Sequence, residues 1–248
     1  MQYYTCPICA STALPLDVVD FNKSCEELRH KYLPLSGIAV YYYLCEHCYF
    51  CFAPQLYQWK LSEFEKRIYN ADYSVIDPDS VDIRPRSNAK NLIHLFANQK
   101  QVIRHLDYGG GSGLLSQLLR QEQWQSLSYD PFYNKQTLIK ELGQFNLITA
   151  YEVFEHVPDI ETLMTNLSLL LAEDGVILFS TLLSDGQLDK NKRIQWWYAA
   201  PRNGHISLFS KTSLLIMAKR WGFTLGSFST GFHAMWKVVP SWASHIIK

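Results

Sequence analysis

The stretch Val102–Gly113, VIRHLDYGGGSG, constrains this chain most. It reads as a buried strand that ends at Asp107 and runs into a glycine-rich turn. Leu114, Leu115, Leu118 and Leu119 follow with helical spacing. Strand, glycine turn and helix form the opening unit of a nucleotide-binding α/β fold. Glycines let backbone approach a ligand closely, and a helix N-terminus offers free N–H groups. The dinucleotide fingerprint G-x-G-x-x-G fits poorly. Its third glycine falls on Leu114 when counted from Gly109, and on Ser116 when counted from Gly111.

What fits is D-x-G-x-G-x-G, at Asp107, Gly109, Gly111 and Gly113. This pattern resembles motif I of the class I S-adenosylmethionine-dependent methyltransferases. The resemblance implies that these four residues seat the methionine part of S-adenosylmethionine. The next strand, QSLSYD, ends in Asp130. An acid there can accept hydrogen bonds from both hydroxyls of a ribose. A helix N-cap or loop acid is the alternative reading of Asp130. Residues 131–144 leave little room for a helix and a strand, so the third strand is expected to be short or missing.

Phe145–Tyr151 is a continuous apolar strand suited to a parallel sheet. It leads into E-x-x-E-H-V-P-D, with Glu152, Glu155 and His156. This segment is similar to one in ubiquinone-type O-methyltransferases and in sugar and polyketide methyltransferases. The resemblance implies cofactor contacts from Tyr151 and Glu152. In some relatives the two glutamates and the histidine bind a divalent cation. Three readings stay open for Glu155 and His156: positioning the loop, holding such a cation with Glu152, or, for His156, acting as general base. Tyr198–Ser210 resembles a further element of these enzymes, with His205 as a second candidate base. Tyr69, Asn70 and Tyr73 resemble a Y-N-x-x-Y element that precedes motif I in zinc-bearing relatives. It is read as touching cofactor or substrate, or as packing a domain junction.

Helices are expected over 59–69, over Ala89–Ala97, after Asp159 with Gly175 just past its end, and from Ser210 to Arg220. A strand is expected over Val176–Leu182, and an antiparallel pair closes the sheet at Phe223–Phe228 and His233–Val239. The expected fold is α/β: a Rossmann-like, seven-stranded methyltransferase sheet with a small N-terminal four-cysteine zinc module.

Cys6 pairs with Cys9, and Cys45 with Cys48, in two C-x-x-C knuckles. The pattern reads as a closed, structural zinc site, and two reduced thiol pairs are the alternative. The insert Ala10–Leu44 must fold back to bring the knuckles together. His47 is expected to face solvent, and Cys25 and Cys51 to be ordinary semi-buried thiols. The expected domains are 1–55 for the zinc module, 56–88 for a linker and cofactor-covering helix, and 89–248 for the methyltransferase domain.

Lys and Arg together number 23, as do Asp and Glu. This balance argues against an electrostatic nucleic-acid binder. No run is long and apolar enough to span a membrane, and MQYYTCPICAS lacks the features of a secretory signal. The expectation is a cytoplasmic enzyme that methylates a small-molecule or sugar-like acceptor on oxygen or carbon. The competing expectation is a non-catalytic methyltransferase-like protein whose zinc module docks a partner.

Overall fold

A computed structural model describes residues 2–247. Its strands, in chain order, are β1 (Tyr4–Thr5), β2 (Thr12–Asp20), β3 (Ala39–Cys45), β4 (Cys51–Phe52), β5 (Arg104–Tyr108), β6 (Gln125–Tyr129), β7 (Phe145–Tyr151), β8 (Leu171–Ser180), β9 (Ser207–Leu208), β10 (Thr224–Ser227) and β11 (Phe232–Trp236). Its α-helices are α1 (Leu61–Arg67), α2 (Tyr73–Ile76), α3 (Ile83–Leu95), α4 (Leu114–Gln121), α5 (Ile160–Leu170) and α6 (Lys211–Arg220). The chain divides into two compact units, each discontinuous in sequence.

The first unit takes the residues up to Pro78, Glu155–Ile160 and Leu182–Arg220. Its antiparallel sheet has the order β1-β2-β3-β4-β9. The expected return of the insert is a β2–β3 hairpin in which Ala13 faces Cys45 and Asp20 faces Ala39. The register shifts between Pro15 and Asp17. Pro15 has no N–H for the ladder, and a bulge is where a strand tolerates that loss. The hairpin's long connection is tied at its base by the Asp20 carboxylate. It accepts the N–H groups of Asn22, Ser36 and Gly37 and the Ser36 hydroxyl. α6 begins after Ser210, whose hydroxyl accepts the Ser213 N–H at 3.0 Å, as an N-cap does.

The second unit takes Asp79–Phe154, Glu161–Thr181 and the residues from Trp221 onward. Its sheet has the order β10-β11-β8-β7-β5-β6, with β6, β5, β7 and β8 parallel and β11 and β10 antiparallel. Six strands stand where seven were expected. Residues 131–144 make the whole crossover from β6 to β7 with only a short 3-10 turn at Ile139–Glu141, because they are too few to hold a further strand and helix as well. Two boundaries also differ from expectation. α3 starts at Ile83, with Pro85 in its first turn, where the missing N–H costs nothing. β8 starts at Leu171, so Gly175 lies inside an irregular strand rather than at a helix cap.

The core of this unit joins Leu92 and Phe96 with Leu115 and Leu119 of α4 and with Leu147, Val176 and Leu178 of the sheet. Leu92, Leu119, Leu147 and Leu178 are each 0 % exposed. Burial of this kind contributes about 1.5–3 kcal/mol per side chain. Among the described residues, no helix is long and apolar enough to cross a membrane.

Candidate functional sites

In the second unit, β5 delivers Asp107 and then turns through Gly109–Gly113 into α4. The Gly109 N–H donates to the Tyr129 carbonyl at 2.7 Å, which pins the turn to the end of β6. Of the turn's glycines, Gly110 is the one that the alternate-glycine pattern missed. A Cβ there would lie 2.4 Å from both Asp107 Oδ2 and Ser128 Oγ. Its signal was the unbroken run of three glycines. Gly111 differs from it: φ is +54° and no other atom lies within 4 Å of an added Cβ. Its side of the turn is open.

Asp107 is 4 % exposed and accepts the Thr149 hydroxyl at 2.8 Å. Burial pushes its carboxyl up to about 7, against the Thr149 bond, and the Asp130 charge adds to the rise. Asp130 is also buried, and burial raises its carboxyl too. Its oxygens accept the Gly111 N–H at 3.1 Å and the Phe132 N–H at 2.8 Å. Two buried carboxylates thus flank an open backbone turn. They favour a ligand that brings cationic charge and hydroxyl donors.

Tyr151 ends β7, and burial raises its phenol. Glu152 follows with φ +53°, an uncommon conformation for a residue with a side chain. The Ser180 hydroxyl holds it there, accepting the Glu152 N–H at 2.8 Å and donating to Oε1 at 2.7 Å.

In the first unit, Glu155, His156 and His205 come together, with their ligand-capable atoms all within 4.8 Å of one another. This set can hold a divalent cation, but it is not the expected one. His205 takes the place of Glu152, whose carboxylate is engaged by Ser180. Glu155 is 0 % exposed, and its Oε1 accepts the Tyr198 hydroxyl. His205 Nδ1 lies 2.8 Å from the Tyr198 carbonyl. A carbonyl only accepts, so Nδ1 carries a proton. The Tyr42 hydroxyl holds the His205 carbonyl at 2.6 Å. His156 stacks edgewise on His205 at 4.8 Å and faces Tyr69 at 6.1 Å. Gly204 makes this closeness possible. At φ +92°, its added Cβ would lie 2.9 Å from both His156 Nδ1 and the Tyr69 hydroxyl. Tyr73 packs on Tyr69 at 5.1 Å, and its hydroxyl donates to the Asn203 carbonyl at 3.4 Å. The role of Tyr198 as partner of Glu155 was not legible in the sequence.

The four cysteines of the knuckles converge in the same unit. Cys6 and Cys48 sulfurs are 3.6 Å apart, Cys9 and Cys45 sulfurs 3.4 Å, and all four lie within 4.8 Å. A tetrahedron of thiolates about 2.3 Å from zinc has edges of about 3.8 Å, so the set fits that metal. The bond from Cys48 holds the Cys6 thiol down at about 5. Ala10 and Tyr49, each following the second cysteine of a knuckle, have φ of +59° and +58°. Each returns its N–H to the carbonyl of the first cysteine, at 2.9 Å and 3.2 Å. His47 is exposed and outside the cluster, and Cys51 is fully buried. Cys25 is half-buried, with its sulfur 3.7 Å from His205 Nδ1.

The family model of the type 23 methyltransferase domain, described as "Methyltransferase domain", matches residues 81–227. A ubiquinone biosynthesis O-methyltransferase of Histophilus somni (strain 2336) is 29% identical over 96 residues, which are 37% of this chain and 40% of that protein. The chain thus spans less than half the length of that curated relative. Among solved structures, the 1,6-didemethyltoxoflavin-N1-methyltransferase of Burkholderia thailandensis, with bound 1,6-didemethyltoxoflavin and S-adenosylhomocysteine, is similar. It has a TM-score of 0.50 and 16% identity over 83% of this chain and 96% of that one. The O-methyltransferase NcsB1 from neocarzinostatin biosynthesis matches with a TM-score of 0.40 and 13% identity, over 71% of this chain and 64% of that one.

Proposed function

The chain belongs to the methyltransferase domain family, and on that premise we propose that it transfers a methyl group from S-adenosylmethionine to a small-molecule acceptor. The observation that carries this reading is the open glycine turn flanked by the buried carboxylates Asp107 and Asp130. Asp107 meets the ammonium end of the cofactor, and Asp130 accepts from its ribose hydroxyls. Gly109, Gly111 and Gly113, with Gly110, leave Ser112 as the one side chain of the turn. Tyr151 and Glu152 complete this side. When bound, S-adenosylmethionine supplies a methyl group already activated on a sulfonium.

The protein's remaining task is orientation and, for a hydroxyl or acidic carbon, removal of a proton. His205 is suited to take it. Protonation of the ring leaves the Nδ1–H bond to the Tyr198 carbonyl unchanged. Glu155, close by and buried, stabilises the imidazolium, and Tyr198 holds that carboxylate in place. His156 is the alternative base in the same cluster. The acceptor is accordingly an O–H or acidic C–H compound, sugar-like molecules included. The four cysteines hold a structural zinc.

The test is calorimetric titration with S-adenosylhomocysteine, comparing wild type with Asp130→Ala. Wild type binds saturably. The variant binds at least about tenfold more weakly, because hydrogen bonds to a charged group are worth about 1.5–3 kcal/mol each. His205→Ala then retains this binding and loses methyl transfer to an acceptor found by screening. Absence of any binding by folded, zinc-loaded wild type overturns the proposal.

A further inference from the structure

Three neighbouring strands write a line of polar side chains across the second unit. His105 of β5 lies opposite Ser126 of β6, and Asp107 of β5 lies opposite Thr149 of β7. His105 and Asp107 are two residues apart on one strand and so share a face. The contacts are continuous. Ser126 Oγ is 2.8 Å from His105 Nδ1, His105 Nε2 is 2.9 Å from Thr149 Oγ1, and Thr149 Oγ1 is 2.8 Å from Asp107 Oδ1. His105 and Thr149 are 0 % exposed. Ser126 is half-buried and lines an open cavity with His105, Arg104 and Gln125.

An imidazole in the middle of a buried parallel sheet is costly unless both nitrogens are bonded. Here both are, and only to hydroxyls. The directions are fixed by the far end. An ionised Asp107 only accepts, so Thr149 donates to it and must accept from His105 Nε2–H. Nδ1 is then a lone pair and accepts from Ser126. Burial holds the imidazole neutral, down at about 3, so it acts in this line as a neutral donor and acceptor.

We infer that His105 and Thr149 are positioning residues of the cofactor site, forming with Ser126 a relay that orients the Asp107 carboxyl and links its proton to solvent. The inference rests on the proposed cofactor reading. The relay reverses with the proton. When Asp107 is protonated it donates to Thr149, Thr149 donates to Nε2, and His105 donates from Nδ1 to Ser126. On release, Asp107 passes its proton to Thr149, Thr149 passes its own to Nε2, Nδ1 passes its proton to Ser126, and Ser126 gives one to water. One proton leaves, and His105 has only exchanged tautomers. A cationic ligand on Asp107 drives release, so capture of the cofactor is coupled to loss of that proton. The other groups that bear on Asp107 are Asp130 at the end of β6 and Tyr151 of β7. Tyr108 and Tyr129 stand beside Asp130 in turn.

The experiment is S-adenosylhomocysteine titration across about pH 5.5–8.5. Wild-type affinity rises with pH by up to about tenfold per unit below the Asp107 midpoint, then levels. Thr149→Val removes the donor that favours the carboxylate. It weakens binding near neutrality at least about tenfold and moves the midpoint upward. Thr149→Ser restores both, and Ser126→Ala, at the half-buried end, moves the midpoint the same way by less. A purely structural role lowers melting temperature without moving the midpoint. Folded Thr149→Val and Ser126→Ala proteins with the wild-type profile overturn the inference. A wild type that binds no S-adenosylhomocysteine at any pH overturns the cofactor reading instead. The pH dependence of unfolding, compared for Thr149→Val and Thr149→Ser, then decides the relay by itself.

Discussion

Replacing Asp107 by Asn is expected to stabilise the unliganded protein at neutral pH while weakening its grip on cofactor. The folded carboxyl titrates at about 7, raised by burial from 3.8. Between those values the native state keeps a proton that the unfolded chain has lost. Native stability therefore falls as pH rises through this window and levels above it. The full difference is about 4 kcal/mol at 1.36 kcal/mol per unit, of which about 2 kcal/mol falls above pH 5.5. Asparagine has no such titration, and its Oδ1 still accepts from Thr149. Asp130, whose pKa is also raised, adds repulsion of the same sign in the wild type. Urea unfolding of both proteins at about pH 5.5 and pH 8.5 is the assay. Asp107→Asn should gain about 2 kcal/mol on wild type between the two conditions while losing S-adenosylhomocysteine affinity. An offset that is the same at both pH values, or a variant less stable than wild type at the higher one, refutes the reasoning.

Gly110→Ala drives a methyl into Asp107 and Ser128, which lie 2.4 Å from the new atom. Overpacking of this kind costs about 1–3 kcal/mol, so titration should show S-adenosylhomocysteine affinity down about tenfold, and unchanged affinity means the turn gives way. Gly204→Ala at φ +92° crowds His156 and Tyr69. Methyl transfer should fall sharply while cofactor affinity stays within about twofold, a split read from kcat against a direct titration. Elemental analysis should find one zinc per chain, and Cys48→Ser should lose it and melt lower. A variant with wild-type metal content and melting temperature removes Cys48 from the ligand set.

The parts of the molecule that local spacing writes are legible in the sequence alone. The glycine turn, Asp130 at its strand end, the apolar run at β7 and the short segment 131–144 all follow from residue type and length. So does the convergence of the cysteines, since two knuckles make sense only together. What the sequence hid depends on distant pairing. β2 carries Pro15 and mixed polarity, so it lacks strand alternation and is held by its partner β3. β9 is two residues long and has no signature, yet it completes the first unit's sheet against β4. The motif leaves Glu152 open as a cofactor contact or a cation ligand, and only the fold shows its carboxylate bonded to Ser180. His105 passed for an ordinary strand residue, because only register reveals that it bridges Ser126 and Thr149.

The interleaving of the two units bears on how the protein is made. The last knuckle cysteine is Cys48, but β9 and the segment Leu182–Arg220 leave the ribosome much later. At about 5–20 residues per second, this delay is about 8–30 s. During it, the nascent N-terminal sheet has an open edge at β4. A metal bound by the four cysteines would hold the two knuckles together through that interval. The N-terminal module is for the same reason not a detachable cassette. A fragment ending at Pro78 would lack its edge strand, and one beginning at Asp79 would carry residues 155–160 and 182–220 with no sheet to join.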